Sequence, residues 1–131
     1  MKTEMTTQTM PTKVNIEAGM AAITEYWQPE TAGRLNGQLV KLVKLKGEFI
    51  QHHHDQEDEM FLVINGALDI VFTDKTVTLT EGEFLVIPRG VEHKPVAEKE
   101  VQVLLFEPES TVNTGNVTNH LTRKHQTSRL T

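Results

Sequence analysis

The feature that most constrains this chain is an alternation of apolar and polar side chains that runs from Gln38 to Glu107. A period of two residues is typical of β-strands that bury one face. Turn residues interrupt the pattern about every eight to twelve positions, as in sandwiches and barrels. No helical pattern separates the strands, which disfavours parallel βαβ units. The sequence therefore predicts an all-β domain of about eight short strands.

The clearest strands are predicted over residues 48–54, 59–65, 84–87 and 101–106. Asn65-Gly66 stands between two such runs and is a strong signal for a β-hairpin. The segments 60–64 and 84–87 are apolar at every position. One face of each would line the interior, so a helix, a second sheet or another subunit must cover the other face.

A short helix is predicted before the strands. Apolar residues recur there at helical spacing: Ile16, Met20, Ile23 and Trp27. Asn15 is a plausible N-cap, and Pro29 ends the pattern. We assign residues 1–13 to a flexible segment, 14–112 to a single domain, and 113–131 to a flexible tail. The tail ends in a basic stretch, which either contacts an acidic partner or is simply solvated.

Composition excludes several classes of protein. The net charge is −5, which argues against a nucleic-acid partner because phosphate binding needs a basic surface. The chain has no cysteine, so disulfides, thiolate zinc sites and thiol nucleophiles are excluded. Its apolar runs are far shorter than the about 20 residues of a membrane span, and residues 1–11 lack the apolar stretch of a secretory signal. We expect a cytoplasmic protein with no membrane partner.

Four of the six histidines fall in two places, at 52–54 and at 93. On a strand, His52 and His54 share a face and His53 points away, so two imidazoles could hold one metal ion. Glu59 opens the next predicted strand and could add a carboxylate oxygen. Glu57 has the same parity and is the rival carboxylate. Histidines beside acids on a surface loop are, however, often only solvated.

The spacing of these residues resembles the two motifs of the cupin family. The first is His52-x-His54, four residues, Glu59, six residues, Gly66. The second is Gly82, five residues, Pro88-x-Gly90, two residues, His93. Two positions depart from the family pattern. Four residues lie between Gly47 and His52 where five are usual, and Ala97 stands where an asparagine is common. The spacing to Gly66 favours Glu59 over Glu57.

The resemblance implies a double-stranded β-helix jelly-roll barrel with a metal near its wider mouth. It also implies the ligands His52, His54, Glu59 and His93. Three neutral imidazoles and one carboxylate suit a divalent first-row ion such as Fe, Mn, Co, Ni or Zn, and leave coordination positions open for water or a ligand. We expect one such ion per chain.

The same strand parity places Ile50 and Phe61 in the cavity, where they would contact a small ligand or only fill the barrel. We expect Tyr26 and Trp27, at the end of the helix, to be packing residues rather than a lid over a substrate.

Three functions remain open from the sequence: a metal-dependent enzyme such as an oxygenase, isomerase or lyase, a non-enzymatic small-molecule or metal-binding module, and a barrel braced by a structural metal. No second catalytic signature is visible, and a fold does not fix chemistry. The chain is most similar to small single-domain cupins of the mannose-6-phosphate isomerase-like kind, a label that concerns fold and not sugar chemistry. We expect a homodimer, because a single small barrel leaves sheet edges to cover.

Overall fold

The computed structural model describes residues 10–123. Its elements follow in the order α1 (Ile16–Ala21), β1 (Glu30–Leu35), β2 (Gln38–Glu48), β3 (Glu59–Asn65), β4 (Ala67–Val71), β5 (Thr76–Thr80), β6 (Phe84–Ile87) and β7 (Lys94–Pro108). Every strand pair is antiparallel. The predicted all-β jelly roll with one short helix is confirmed, and the predicted bounds of β3 and β6 are correct.

The long strand β7 holds the two halves of the jelly roll together. It pairs with β2 along most of its length, with β3 through its C-terminal half and with β4 through its first residues. The seven strands form one sheet. Its main path, here called the larger sheet, has the order β1-β2-β7-β3-β6, and β4 branches from β7 and pairs with β5. Because one strand serves both sides, the inward faces of all strands enclose a single core.

The core is made almost entirely of branched aliphatic side chains on those inward faces. Its buried members are Val43, Leu45, Phe61, Val63, Leu68, Ile70, Leu79, Ile87, Ala97, Val101, Val103 and Leu105. Aliphatic residues of this kind pack densely against a pleated sheet. The core reaches the histidines, since the rings of Phe61 and His93 have centroids 6.3 Å apart.

Helix α1 is shorter than its apolar stripe suggests. Asn15 caps it as predicted, with its side-chain oxygen accepting a hydrogen bond from the backbone N–H of Ala18 at 2.8 Å. The helix ends at Ala21, and Trp27 lies in a loop with a φ of 62°. Met20 still packs on the outer face of the larger sheet, whereas Trp27 packs against the barrel core. The apolar residues predicted to form one helical stripe therefore pack in two separate hydrophobic clusters.

The two Asn-Gly pairs of the chain have different roles. Asn36 and Gly37 both have positive φ, at 51° and 76°, and form the tight turn between the paired strands β1 and β2. Paired positive φ values are typical of the type I′ hairpin turn. Asn65 and Gly66 separate β3 from β4, which do not pair with each other. The hairpin predicted at Asn65-Gly66 is wrong: β4 pairs with β5 and β7 instead of with β3.

The outer face of the larger sheet carries two apolar rows that cross four strands. One row consists of Val40, Phe106, Met60 and Val86, and the other of Leu42, Leu104, Leu62 and Phe84. Helix α1 covers the Leu42 end of this face. At the opposite end Phe84 and Val86 are 61% and 50% exposed. Within residues 10–123, no helix is long and apolar enough to cross a membrane.

The C-terminal part of the described chain lies against the barrel. Residues 113–123, which the sequence analysis assigned to a flexible tail, are tied together by side-chain hydrogen bonds. Asn113 donates to the carbonyl oxygen of Leu121 at 2.8 Å and accepts from the backbone N–H of Arg123 at 2.7 Å. Thr114 is fully buried. The basic residues beyond Arg123 lie outside the described part of the chain, as do residues 1–9 of the predicted N-terminal segment.

Candidate metal centre

Three short segments bring four metal-ligand side chains together. His52 and His54 lie in the loop after β2, Glu59 is the first residue of β3, and His93 immediately precedes β7. The strand predicted over 48–54 is not continuous, because β2 ends at Glu48. His52 and His93 nevertheless form an isolated antiparallel bridge, with backbone hydrogen bonds of 3.0 and 2.8 Å. This bridge joins the two sequence motifs.

The four side chains offer ligand atoms that all lie within 4.8 Å of one another. Glu59 Oε1 is 3.2 Å from His54 Nε2 and 3.4 Å from His93 Nε2. All four residues are buried. The structure thus places every predicted metal ligand in one cluster.

Backbone contacts fix the orientation of two of the imidazoles. His52 Nδ1 lies 2.9 Å from the carbonyl oxygen of Ile50, and His93 Nδ1 lies 2.9 Å from that of Val91. A carbonyl oxygen can only accept, so each Nδ1 donates a hydrogen, and Nε2 is left as the nitrogen that could bind a metal. Anchoring the far ring nitrogen in this way is how proteins orient metal-binding histidines.

Several polar atoms of the cluster have no hydrogen-bond partner. His54 Nε2, His93 Nε2 and Glu59 Oε1 are buried and make no hydrogen bond to the residues that the structure describes. Unsatisfied buried polar groups are rare, because each costs about 1–3 kcal/mol. A divalent cation among these atoms would satisfy them together. The residues therefore fit a metal ion.

Burial also shifts the ionisation of the cluster. Burial, together with the neighbouring His93, lowers the pKa of His52 to about 4. Burial alone would raise the pKa of Glu59, but the imidazoles of His54 and His93 outweigh it and hold the pKa well below its ordinary value. Neutral imidazole and ionised carboxylate are the forms that bind metals. The protein thus favours the ligating forms near neutral pH.

The neighbouring histidine and acids are excluded from the cluster. His53 points away, as predicted, and pairs with Glu92 and with Asp55. The rival carboxylate Glu57 accepts a hydrogen bond from the Ser110 hydroxyl at 2.8 Å. Two surface ion pairs lie in or beside the motifs: Asp58 with Arg89, and Glu48 with Lys94.

A cavity with about 430 Å³ of empty space, including its mouth, adjoins His52 and Glu59. Trp27 and Phe49 form one wall, stacked with ring centroids 4.6 Å apart, and Phe61 contributes as predicted. Ile50 is half-buried and does not line this cavity. Strand parity predicted the opposite arrangement for residues 49 and 50.

An irregular strand pairing explains why Phe49 and not Ile50 lines the cavity. The backbone N–H of Phe49 donates to Pro95, and that of His52 donates to His93. The four residues 49–52 thus lie opposite the three residues 93–95, so one side carries an extra residue, as in a β-bulge. The extra residue reverses the parity between 49 and 52, so both of these side chains face inward.

Two further interior residues were not predicted. Lys41 and Glu107 are only 6% and 2% exposed, and Lys41 Nζ lies 2.7 Å from Glu107 Oε2. Glu107 lines the same cavity as Glu59. Burial and the adjacent Glu59 carboxylate raise the pKa of Glu107 well above its ordinary value. The alternation of the sequence could have indicated that Lys41 faces inward, because it has the same parity on β2 as the core residues Val43 and Leu45.

The C-terminal segment closes over the histidine loop. Asn116 and His53 exchange two hydrogen bonds, from the Asn116 N–H to the His53 carbonyl at 3.0 Å and from the His53 N–H to the Asn116 side chain at 2.9 Å. Gly115 permits the approach, since a Cβ there would lie 2.1 Å from the His53 carbonyl oxygen. The segment therefore holds the metal-ligand loop against the barrel.

Comparison with known proteins agrees with this geometry. The chain is similar to a solved cupin-2 domain protein from Shewanella frigidimarina, with 41% identity, 72% of this chain and 93% of that one covered, and a TM-score of 0.72. Protein NMB1881 from Neisseria meningitidis is 36% identical, with 74% and 99% covered and a TM-score of 0.68.

Among curated sequences, uncharacterized protein YdbB from Bacillus subtilis is 41% identical over 61 residues, which are 46% of this chain and 54% of that protein. The chain matches about half the length of the curated relatives that it resembles. The cupin domain family itself matches residues 39–107, from the start of β2 almost to the end of β7, a range that includes both metal motifs. Fold, ligand spacing and family match coincide on the same residues, and the chain belongs to the cupin family.

Proposed function

We propose that this cupin binds one divalent transition-metal ion, of Fe, Mn, Co, Ni or Zn type, through His52, His54, Glu59 and His93. The observation that supports the proposal best is the set of buried Nε2 and Oε1 atoms that face one another without hydrogen-bond partners. Four protein ligands leave coordination positions for an exchangeable group. When bound, the ion would act as a Lewis acid toward an oxygen of a small molecule.

We further propose that the small molecule is uncharged and largely apolar. The cavity walls are mostly aromatic and aliphatic, and four of the lining residues are polar: His52, Glu59, Glu107 and Asn113. A pocket of this kind suits a compact ligand with an oxygen at one end. Among residues 10–123, no Lys or Arg side chain lines the cavity. A phosphorylated sugar therefore fits poorly, despite the similarity to isomerase-like cupins.

A metal-reconstitution screen tests this function. Metal-free protein is loaded with each ion in turn and mixed with small phenols, enols, carbonyl compounds and sugar phosphates, while thermal shift, oxygen uptake and products are followed. We expect metal-dependent stabilisation by one apolar oxygen compound, and none with His93→Ala. Turnover would identify an enzyme, and tight binding without turnover a binding module. Metal-independent binding, or selective binding of sugar phosphates, would contradict the proposal.

We also propose that the chain forms a homodimer through the end of the larger sheet. Phe84 and Val86 prolong the two apolar rows into solvent. Strand β6 is the last of its sheet, and none of the described strands pairs with its outer edge. A second copy supplies both an apolar face and a strand edge of the same kind, as a two-fold interface requires.

A further inference from the structure

Lys41 and Glu107 form a hydrogen-bonded pair inside the barrel. They lie on the paired strands β2 and β7, where Leu39 stands opposite Glu107 and Lys41 opposite Leu105. Their side chains meet at 2.7 Å in the buried interior. Moving two charges out of water costs several kcal/mol per ion, and replacing such a pair by apolar residues is often stabilising. Stability of the fold is therefore a poor reason for the pair.

The free side of Glu107 points to the metal centre. Lys41 holds only Oε2, while Oε1 is buried and has no partner among N–H and hydroxyl groups of residues 10–123. Glu107 and Glu59 line the same cavity, and the Oε1 atom of Glu59 is likewise buried without a hydrogen bond. Polar side chains thus follow one another from Lys41 through Glu107 and Glu59 to the imidazoles of His54 and His93.

We propose that Lys41 and Glu107 are positioning residues that hold the Glu59 carboxylate in its metal-binding orientation. This inference rests on the proposed metal function. Glu59 is the one carboxylate among the four ligands, and its side chain has three rotatable bonds that β3 alone does not fix. Outer-shell contacts of this kind change metal affinity by about 10–100-fold. Lys41 acts through Glu107, because its own contact is with Glu107 and not with a metal ligand.

The test compares Co²⁺ binding by calorimetry and the Co²⁺ absorption spectrum in full-length variants. Lys41→Met leaves Glu107 buried and unpaired, so the double variant Lys41→Met/Glu107→Leu, which removes both charges, is the safer main test. We expect it to stay folded, with about 10–100-fold weaker Co²⁺ binding and an altered spectrum. Glu107→Gln should bind within about threefold of the parent, because its amide can accept from Lys41 and donate to Glu59.

The pair Lys94 and Glu48 provides a matched control, since it joins the same two strands at 3.1 Å but on the surface. Lys94→Met/Glu48→Leu should leave Co²⁺ affinity and spectrum unchanged. A buried double variant that binds Co²⁺ as tightly as the parent, with the same spectrum, would overturn the positioning role alone. A parent protein that binds no Co²⁺, Zn²⁺ or Ni²⁺ would overturn the proposed metal function and this inference with it.

Discussion

His52 and His93 exchange two backbone hydrogen bonds, and their imidazole rings lie with centroids 4.3 Å apart. Each ring anchors its Nδ1 on the carbonyl oxygen two residues earlier in the chain. The same local arrangement is therefore built twice, once in each motif. Its consequence is that both Nε2 atoms face the centre of the cluster, with orientations set by backbone and not by side-chain packing alone.

This geometry predicts different effects for adjacent histidines. His52→Ala and His93→Ala each remove a metal ligand, so metal affinity should fall by more than the about 10–100-fold that loss of an outer-shell contact costs. His53→Ala is the matched control, because its ring contacts Glu92 and Asp55 on the surface. Metal titration of the three variants checks this. Equal losses in all three would contradict the assignment.

Removal of the metal should expose a pH dependence of stability. The pKa of His52 is about 4 in the folded protein and 6.5 in its ordinary state, so between these values the unfolded chain binds a proton that the folded chain does not. The free energy of unfolding should therefore fall as pH drops from about 6.5 to 4, by about 3 kcal/mol in full.

Urea unfolding of the metal-free protein across this range measures the effect. His54, His93 and Glu59 also face His52, so His52→Gln serves as the reference that retains those groups. The pH dependence should be weaker in His52→Gln than in the parent. Identical pH profiles for the two proteins would show that burial of His52 does not set the dependence.

Glycine at position 115 should be needed for the C-terminal segment to close. A Cβ at Gly115 meets the His53 carbonyl at 2.1 Å, whereas one at Gly82 meets nothing within 4 Å. Both residues have positive φ, so alanine at either site costs about 1–2 kcal/mol in backbone strain. Gly115→Ala should lose further stability and weaken metal binding, because the clash displaces the His53 segment.

Thermal unfolding and metal titration of Gly115→Ala and Gly82→Ala compare the two sites directly. Similar melting temperatures and unchanged metal affinity in both would mean that the C-terminal segment does not hold the histidine loop.

The exposed end of the larger sheet should govern oligomeric state. Phe84→Glu places a charge on the outermost position of an apolar row and should convert the proposed dimer to monomer in sedimentation experiments. Leu35→Glu is a suitable control, since Leu35 is also exposed but lies on β1 at the other edge of the sheet. A monomeric parent protein, or a dimer that persists in Phe84→Glu, would rule out this interface.

Much of the metal centre was predictable because its signals are local. The bounds of β3 and β6 follow from apolar segments flanked by turn residues, and the ligand set was implied by the resemblance of two short motifs to those of the cupin family. These features depend on neighbours in sequence, which period and spacing capture.

The features that escaped prediction depend on contacts distant in sequence. Strand β1 has the sequence ETAGRL, with no clear alternation, and it forms because β2 offers it a partner across the Asn36-Gly37 turn. The bulge that turns Phe49 inward is set by the length of the opposing segment 93–95. Trp27, which the sequence placed in the helical pattern, lies outside helix α1 and stacks on Phe49. In each case tertiary pairing overrides the local pattern.

The most direct test is the metal content and coordination of the purified full-length chain. After saturation with Co²⁺ or Zn²⁺ and removal of free ions, elemental analysis combined with X-ray absorption should find about one ion per chain, with a first shell of three imidazole nitrogens and carboxylate oxygen. Absence of a stoichiometric ion, or a first shell without imidazole, would contradict the metal centre on which the proposed function depends.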